Sequence, residues 1–112
     1  MSGNSASLGG GIFNRSSAGS AVTLSNDTVN SNSATTAGGA GSGFGGGLYV
    51  DYGTLTLTND TVQSNKAATT GGGLYIASGA VVYLDTFTLD NVINNTAPKH
   101  KNQNIDGSFL KL

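Results

Sequence analysis

The chain has 112 residues, a formal net charge of −1 and no cysteine, and only 10% of its residues are charged. That length allows one domain with a modest core. The charge balance argues against a dedicated nucleic-acid or anionic-membrane binder, and the lack of cysteine excludes disulfides and thiolate metal sites.

The chain opens with MSGNSASLGG, which has neither a basic n-region nor an apolar h-region, so no Sec signal peptide is read there. Residues 1–8 are taken as an N-terminal flank, too small and polar to cover an apolar end. No later run approaches the roughly 18 apolar residues of a membrane span.

From residue 9 the chain repeats itself. Glycine triplets followed by two large apolar residues stand at Gly9 to Phe13 (GGGIF), Gly45 to Tyr49 (GGGLY) and Gly71 to Tyr75 (GGGLY). A second element follows each: TLSNDTVNSNSA from Thr23, TLTNDTVQSNKA from Thr56 and TFTLDNVINNTA from Thr86. Within a unit the apolar period is two, not 3.6. GTLTLTND sets Thr54, Thr56 and Thr58 on one face and Leu55 and Leu57 on the other. No segment carries helical periodicity, so every regular element is expected to be a strand, three to a unit. AGGAGSGF (Ala37 to Phe44) reads as a loop inserted between units, and Pro98 as the end of the regular ladder.

Short strands in units of this length suit one coil of a parallel β-helix, with successive coils stacked about 4.8 Å apart. The expected fold is therefore all-β, a right-handed parallel β-helix of about three coils: 9–44, 45–70 and 71–97. Residues 98–112 are expected to start a fourth rung or to cap the stack with Phe109, Leu110 and Leu112. The glycines answer the need for sharp bends and close backbone approach. Alternation leaves open whether Leu48 and Leu74 or the aromatics Phe13, Tyr49 and Tyr75 face inward. A three-coil stack has two ends, each a template for strand addition, so end-to-end self-association is expected unless something covers them.

GGGLY followed by TLTNDTVQSNKA resembles the polymorphic outer-membrane protein repeats, with their GG[AILV] and FxxN elements. It also resembles the repeat arrays of bacterial surface and secreted proteins with the pectin-lyase-like right-handed β-helix. Gly46-Gly47-Leu48 and Gly72-Gly73-Leu74 match the first element. Val29-x-x-Asn32, Val62-x-x-Asn65 and Val92-x-x-Asn95 match the second, with valine for phenylalanine. The resemblance spans about residues 9–97. It implies a secreted or cell-surface setting and a structural or adhesive role.

Several side chains recur at matched positions. Asn32, Asn65 and Asn95 are expected to form an internal ladder of amides, in preference to a ligand site. Asp27, Asp60 and Asp90 align too. They could offer oxygens to Ca²⁺, but stacked like charges repel and the calcium-binding GGxGxD pattern does not repeat, so exposed turn aspartates are expected and no metal. Asp51 and Asp85 stand alone as loop or edge residues. Thr23, Thr56, Thr58, Thr86 and Thr88, with Ser25, would make an outward Thr ladder, the pattern of an ice-binding face and the alternative reading; strand propensity alone favours Thr on exposed strand faces. Tyr49, Tyr52, Tyr75 and Tyr83 are the aromatics suited to sugar stacking wherever they face out.

The alternative of a polysaccharide-active enzyme needs a base paired with carboxylates in a cleft. Arg15, Lys66, Lys99, His100, Lys101 and Lys111 are never so paired by coil position, and Lys99 to Lys101 read as a solvated turn. No catalytic residue and no cofactor are assigned. Asn-x-Ser/Thr triplets such as Asn26-Asp27-Thr28 and Asn59-Asp60-Thr61 arise readily by chance in a chain of this composition. The expected function is a non-catalytic module presenting a flat polar wall to a glycan or a surface protein, with no nucleic acid and no membrane insertion.

Overall fold

A computed structural model describes residues 1–16, 20–98 and 103–112. The first coil comprises β2 (Ile12–Arg15), β3 (Ala21–Ser25), β4 (Thr28–Asn30) and β5 (Ser33–Ala34), preceded by β1 (Ser5–Ala6). The second comprises β6 (Leu48–Tyr52), β7 (Thr54–Thr58), β8 (Thr61–Gln63) and β9 (Lys66–Ala67). The third has β10 (Leu74–Ile76), β11 (Val81–Leu84), a one-turn helix α1 (Thr86–Asp90) and β12 (Val92–Ile93). Then come β13 (Ile105–Asp106) and β14 (Leu110–Lys111).

Each strand pairs only with its counterparts one coil away. The sheets run β2-β6-β10-β13, β3-β7-β11-β14, β4-β8-β12 and β1-β5-β9, and every pairing is parallel. The molecule is an all-β, right-handed parallel solenoid of about three turns. A full coil has four strands rather than three; the short fourth strand follows the recurring asparagine.

Alternation sets the inside. Leu48, Leu55, Leu57 and Leu74 are fully buried, whereas Tyr49, Thr54, Thr56 and Thr58 are half-buried on the outer wall. Register then stacks like on like: Ile12, Leu48, Leu74 and Ile105 form one inner column, and Val29, Val62 and Val92 another. Each fully buried Leu or Val contributes about 1.5–3 kcal/mol.

The second coil shows why three glycines precede the leucine. Gly45 has φ +68°, the left-handed region. A Cβ on Gly46 would lie 2.4 Å from the Gly72 carbonyl oxygen and 2.5 Å from that of Lys66, across the coil. A Cβ on Gly47 would lie 3.0 Å from Nδ2 of Asn65. One glycine makes the bend, the next lets two backbones meet, and the third leaves room for a side chain.

Two departures from the repeat are absorbed locally. Ala34 pairs with Ala67 and Phe44 bridges Thr70, so the extra residues before Phe44 bulge out and return to the same rung. This excursion is tied down by Gly43 N–H to Ser7 O (2.7 Å) and Thr69 Oγ1 to Ser42 O (2.8 Å). In the third coil, Leu84 pairs with Leu57 and Val92 with Val62, leaving three more residues to place between them than in the second coil. They form α1, N-capped by Asp85, whose Oδ1 accepts from Thr88 N–H at 2.8 Å. The expectation that every element is a strand fails here, because a local cap competes successfully with strand pairing.

The flanks join the ladder. Ser2 bridges Asn30 and β1 pairs with β5, so residues 2–6 add half a rung before the first coil. β13 and β14 add half a rung after the third. Phe109 packs against the core, while Leu110 and Leu112 are exposed and cap nothing. Among the described residues, no helix is long and apolar enough to cross a membrane.

Candidate functional site

The outer wall of the β2-β6-β10-β13 sheet gathers most of the aromatic side chains. Register places Phe13, Tyr49 and Tyr75 in one outward column. Their ring centroids are 5.1 Å (Phe13–Tyr49) and 5.0 Å (Tyr49–Tyr75) apart, with interplanar angles of 4° and 29°. Phe44, at the end of the inserted loop, leans on the column at 4.9 Å from Tyr75 and 6.4 Å from Tyr49. Strands about 4.8 Å apart bring stacked rings to their preferred separation. Burial, helped by the charge of Asp51, pushes the Tyr49 phenol above its ordinary pKa.

This geometry limits what the column can bind. Tyr49 is stacked between Phe13 and Tyr75, and Tyr49 and Tyr75 are both half-buried. Open ring surface lies at Phe13, 43% exposed, and at Tyr52, 51% exposed. Beside them Arg15 Nε meets Asp51 Oδ2 at 2.9 Å, and the guanidinium carbon sits 5.1 Å from the Tyr52 ring centroid. Tyr83 belongs to another wall, in register with Thr56 and Leu110. The four tyrosines therefore form no single ligand face.

The Thr ladder is shorter than its sequence motif. Thr23 pairs with Thr56 and Ser25 with Thr58, but the third coil answers Thr56 with Tyr83. Thr86 and Thr88 are not on this wall: both lie in α1, and Thr88 is fully buried. The two sequence elements align at Thr86 only if α1 is ignored; the segment in register with Thr54 to Leu57 begins at Val81. Two threonine rungs interrupted by tyrosine make no flat lattice.

The aspartates also separate. Asp60 is fully buried, not exposed; its Oδ1 accepts from Asp27 N–H at 2.7 Å and its Oδ2 has no partner. Burial raises its pKa above the ordinary carboxylate value. In the third coil Thr88 takes over this role, its Oγ1 accepting from Asp60 N–H at 3.0 Å. Asp90, exposed at the end of α1, is out of line. Asp85 caps α1 and also accepts from Asn59 N–H at 2.9 Å, and the bonds from Thr88 lower its pKa. Asp51 has Arg15 as its partner. Among the described residues, no group of three or more His, Cys, Asp or Glu could hold a metal ion. Lys99, His100 and Lys101 lie outside the described residues.

The deepest polar feature is the amide ladder. Oδ1 of Asn65 accepts from Asn32 N–H (2.9 Å) and Nδ2 (3.1 Å), and Oδ1 of Asn95 accepts the same pair from Asn65 (2.9 and 3.0 Å). The remaining Nδ2 hydrogens of Asn65 and Asn95 go to the carbonyls of Val29 and Val62, both at 3.0 Å. The ladder has two further members that the spacing did not disclose. Asn4 donates to Asn32 through N–H (2.9 Å) and Nδ2 (3.0 Å), and Asn95 donates to Oδ1 of Asn104 (3.2 and 3.1 Å). The signal for Asn4 lies in the likeness of SGNSA at 2–6 to NSNSA at 30–34. The residue before each coil's ladder asparagine is left-handed: Gly3, Ser31, Ser64 and Asn94 have φ of 70°, 56°, 57° and 56°.

Neither the protein-family models, nor the curated proteins, nor the solved structures compared with the chain gave a match. The parallel β-helix is thus a property of the structure itself.

Proposed function

We propose that the chain is a non-catalytic β-helix module of a secreted or cell-surface protein, of the kind its GGGLY and VxxN elements resemble. It displays one outer wall to a glycan. The observation that carries this reading is the open aromatic surface of Phe13 and Tyr52 with Arg15 and Asp51 between coils beside it. A pyranose ring stacks on an exposed aromatic face while a charged pair takes its hydroxyls. The interior supports a scaffold role: it is filled by aliphatic columns and the amide ladder. The same stacking that builds the coils would let whole chains associate end to end.

The test is titration with a panel of soluble oligosaccharides, followed by tyrosine fluorescence and calorimetry. Binding that falls at least about tenfold in Tyr52→Ala, a loss of about 1.4 kcal/mol, supports the site. Absence of binding across the panel, or binding indifferent to both Tyr52→Ala and Phe13→Ala, removes the glycan reading and leaves a protein partner or a purely structural role.

A further inference from the structure

The outer aromatic column holds a reactive pair. Its cluster has four rings, Phe13, Phe44, Tyr49 and Tyr75, and the two phenols among them are neighbours. Parallel register sets Tyr49 opposite Tyr75, so the two side chains leave equivalent backbone positions one rung apart. Their ring centroids are 5.0 Å apart, with 29° between the planes. The flanking rings hold them there: Phe13 lies 5.1 Å from Tyr49, and Phe44 lies 4.9 Å from Tyr75. The two phenols are thus stacked on each other before any reaction.

The other tyrosines are placed differently. Tyr52 is 51% exposed and in register with Arg15, whose guanidinium carbon lies 5.1 Å from its ring centroid. Tyr83 stands in register with Thr56 and Leu110. Competing targets for an oxidant are few: the chain has no cysteine and no tryptophan, and its one methionine is Met1. One-electron oxidation therefore falls mainly on phenols, and two of these are already paired.

We propose that Tyr49 and Tyr75 form an oxidative cross-linking site, whose co-reactant is a one-electron oxidant fed by hydrogen peroxide. Each phenol loses one electron and its hydroxyl proton. The two phenoxyl radicals join through the ring carbons beside their hydroxyls. The hydrogen on each of those carbons then returns to the phenol oxygen, which restores both aromatic rings. The net change is one carbon–carbon bond formed and two carbon–hydrogen bonds broken. Two electrons and two protons leave, and hydrogen peroxide takes them up as its O–O bond breaks to give two waters. Because the fold holds both partners in place, the coupling is intramolecular and gains the high effective concentration of oriented reactants. The product, dityrosine, ties the second coil to the third and closes the chain between them, as a disulfide would in a chain with cysteines.

The whole chain is treated with hydrogen peroxide and a haem peptide small enough to reach the wall, then followed by size exclusion, intact mass and dityrosine fluorescence. The expected product is a monomer lighter by two hydrogen atoms and fluorescent as dityrosine. Its rate of formation should fall at least about tenfold in Tyr49→Phe and in Tyr75→Phe, and stay unchanged in Tyr83→Phe. Phenylalanine keeps the stack, as Phe13 does against Tyr49, so the loss reports the missing hydroxyl and not a disturbed wall. Monomeric dityrosine formed as fast in Tyr49→Phe overturns the pair, and so does dityrosine confined to covalent dimers through the exposed Tyr52. No dityrosine in the chain, at a dose that couples N-acetyltyrosine, overturns it as well. Urea unfolding tests the tie separately. The coupled chain is expected to unfold at a higher midpoint; an equal midpoint keeps the site and overturns its role as a staple.

Discussion

Two columns of side chains climb the solenoid in step, one inside and one outside, and each reverses the usual placement of its chemistry. The inner column is made of amides, with Asn32, Asn65 and Asn95 all buried. The outer column is made of rings, with Phe13 43% exposed and Tyr49 and Tyr75 half-buried. The repeat distance explains both. At about 4.8 Å an asparagine reaches the backbone and side chain of the next coil, so a buried polar group is fully bonded and no longer costly. At the same distance an aromatic ring covers its neighbour, so an exposed apolar group hides its largest surface. The inner column is therefore expected to carry stability and the outer one shape.

That contrast can be broken from either side. The largest loss is expected for Asn65→Leu, which strands the N–H and amide donors of Asn32 in the interior and should cost about 3–5 kcal/mol in a denaturant melt. Next comes Gly47→Ala. Its methyl would meet the Asn65 amide and the Gly73 carbonyl oxygen, 2.7 Å away, for about 2–3 kcal/mol. A melt that leaves either variant within about 0.5 kcal/mol of the parent would end the claim that the amides carry the fold. Outside, Tyr49→Ala removes ring contacts to Phe13, Phe44 and Tyr75 and is expected to cost about 1–2 kcal/mol. A loss equal to that of Asn65→Leu would erase the distinction between the columns.

Asp60 offers a finer probe of the interior, because its Oδ2, like Nδ2 of Asn14, is buried without a bond among the described residues. Its raised pKa means that the folded state holds the proton more tightly than the unfolded one. Its contribution to stability is thus present at low pH and lost as pH rises through the raised value. Asp60→Asn should gain about 1 kcal/mol at neutral pH, and the gain should vanish below the ordinary aspartate pKa of about 3.9. Asp85 has the opposite sign: its stability is lost as pH falls through its lowered value. A chemical-denaturation series between acid and neutral pH separates the two. The smallest effect is expected for Ser64→Gly, where relief of a left-handed φ of 57° should add about 0.5–1 kcal/mol.

Much of the architecture was legible because periodicity and glycine placement report backbone needs directly. The alternation in TLTLT and the triplets before Leu48 and Leu74 carry the strands, the bends and the coil count. The failures share one cause. Thr86 to Asp90 look like a strand because TFTLD echoes TLTND, yet Asp85 and Thr88 can satisfy each other locally, and three surplus residues must go somewhere. Matching letters across copies cannot see that local bond. Asn104 was hidden for a related reason: it reaches the ladder from the opposite side of the coil, nine residues after Asn95, so no spacing rule selects it. Asp60 was misplaced because its neighbour Asp27 is exposed, and the next coil alone decides which aspartate is covered.

The loop from Thr35 to Phe44 departs from the wall after Ala34 and rejoins it at Phe44 without disturbing the pairing on either side. In engineering terms this is a socket: the scaffold's register is insulated from what the socket holds. A guest peptide placed at Gly39, where an added Cβ would meet nothing within 4 Å, would leave the coils below it unchanged.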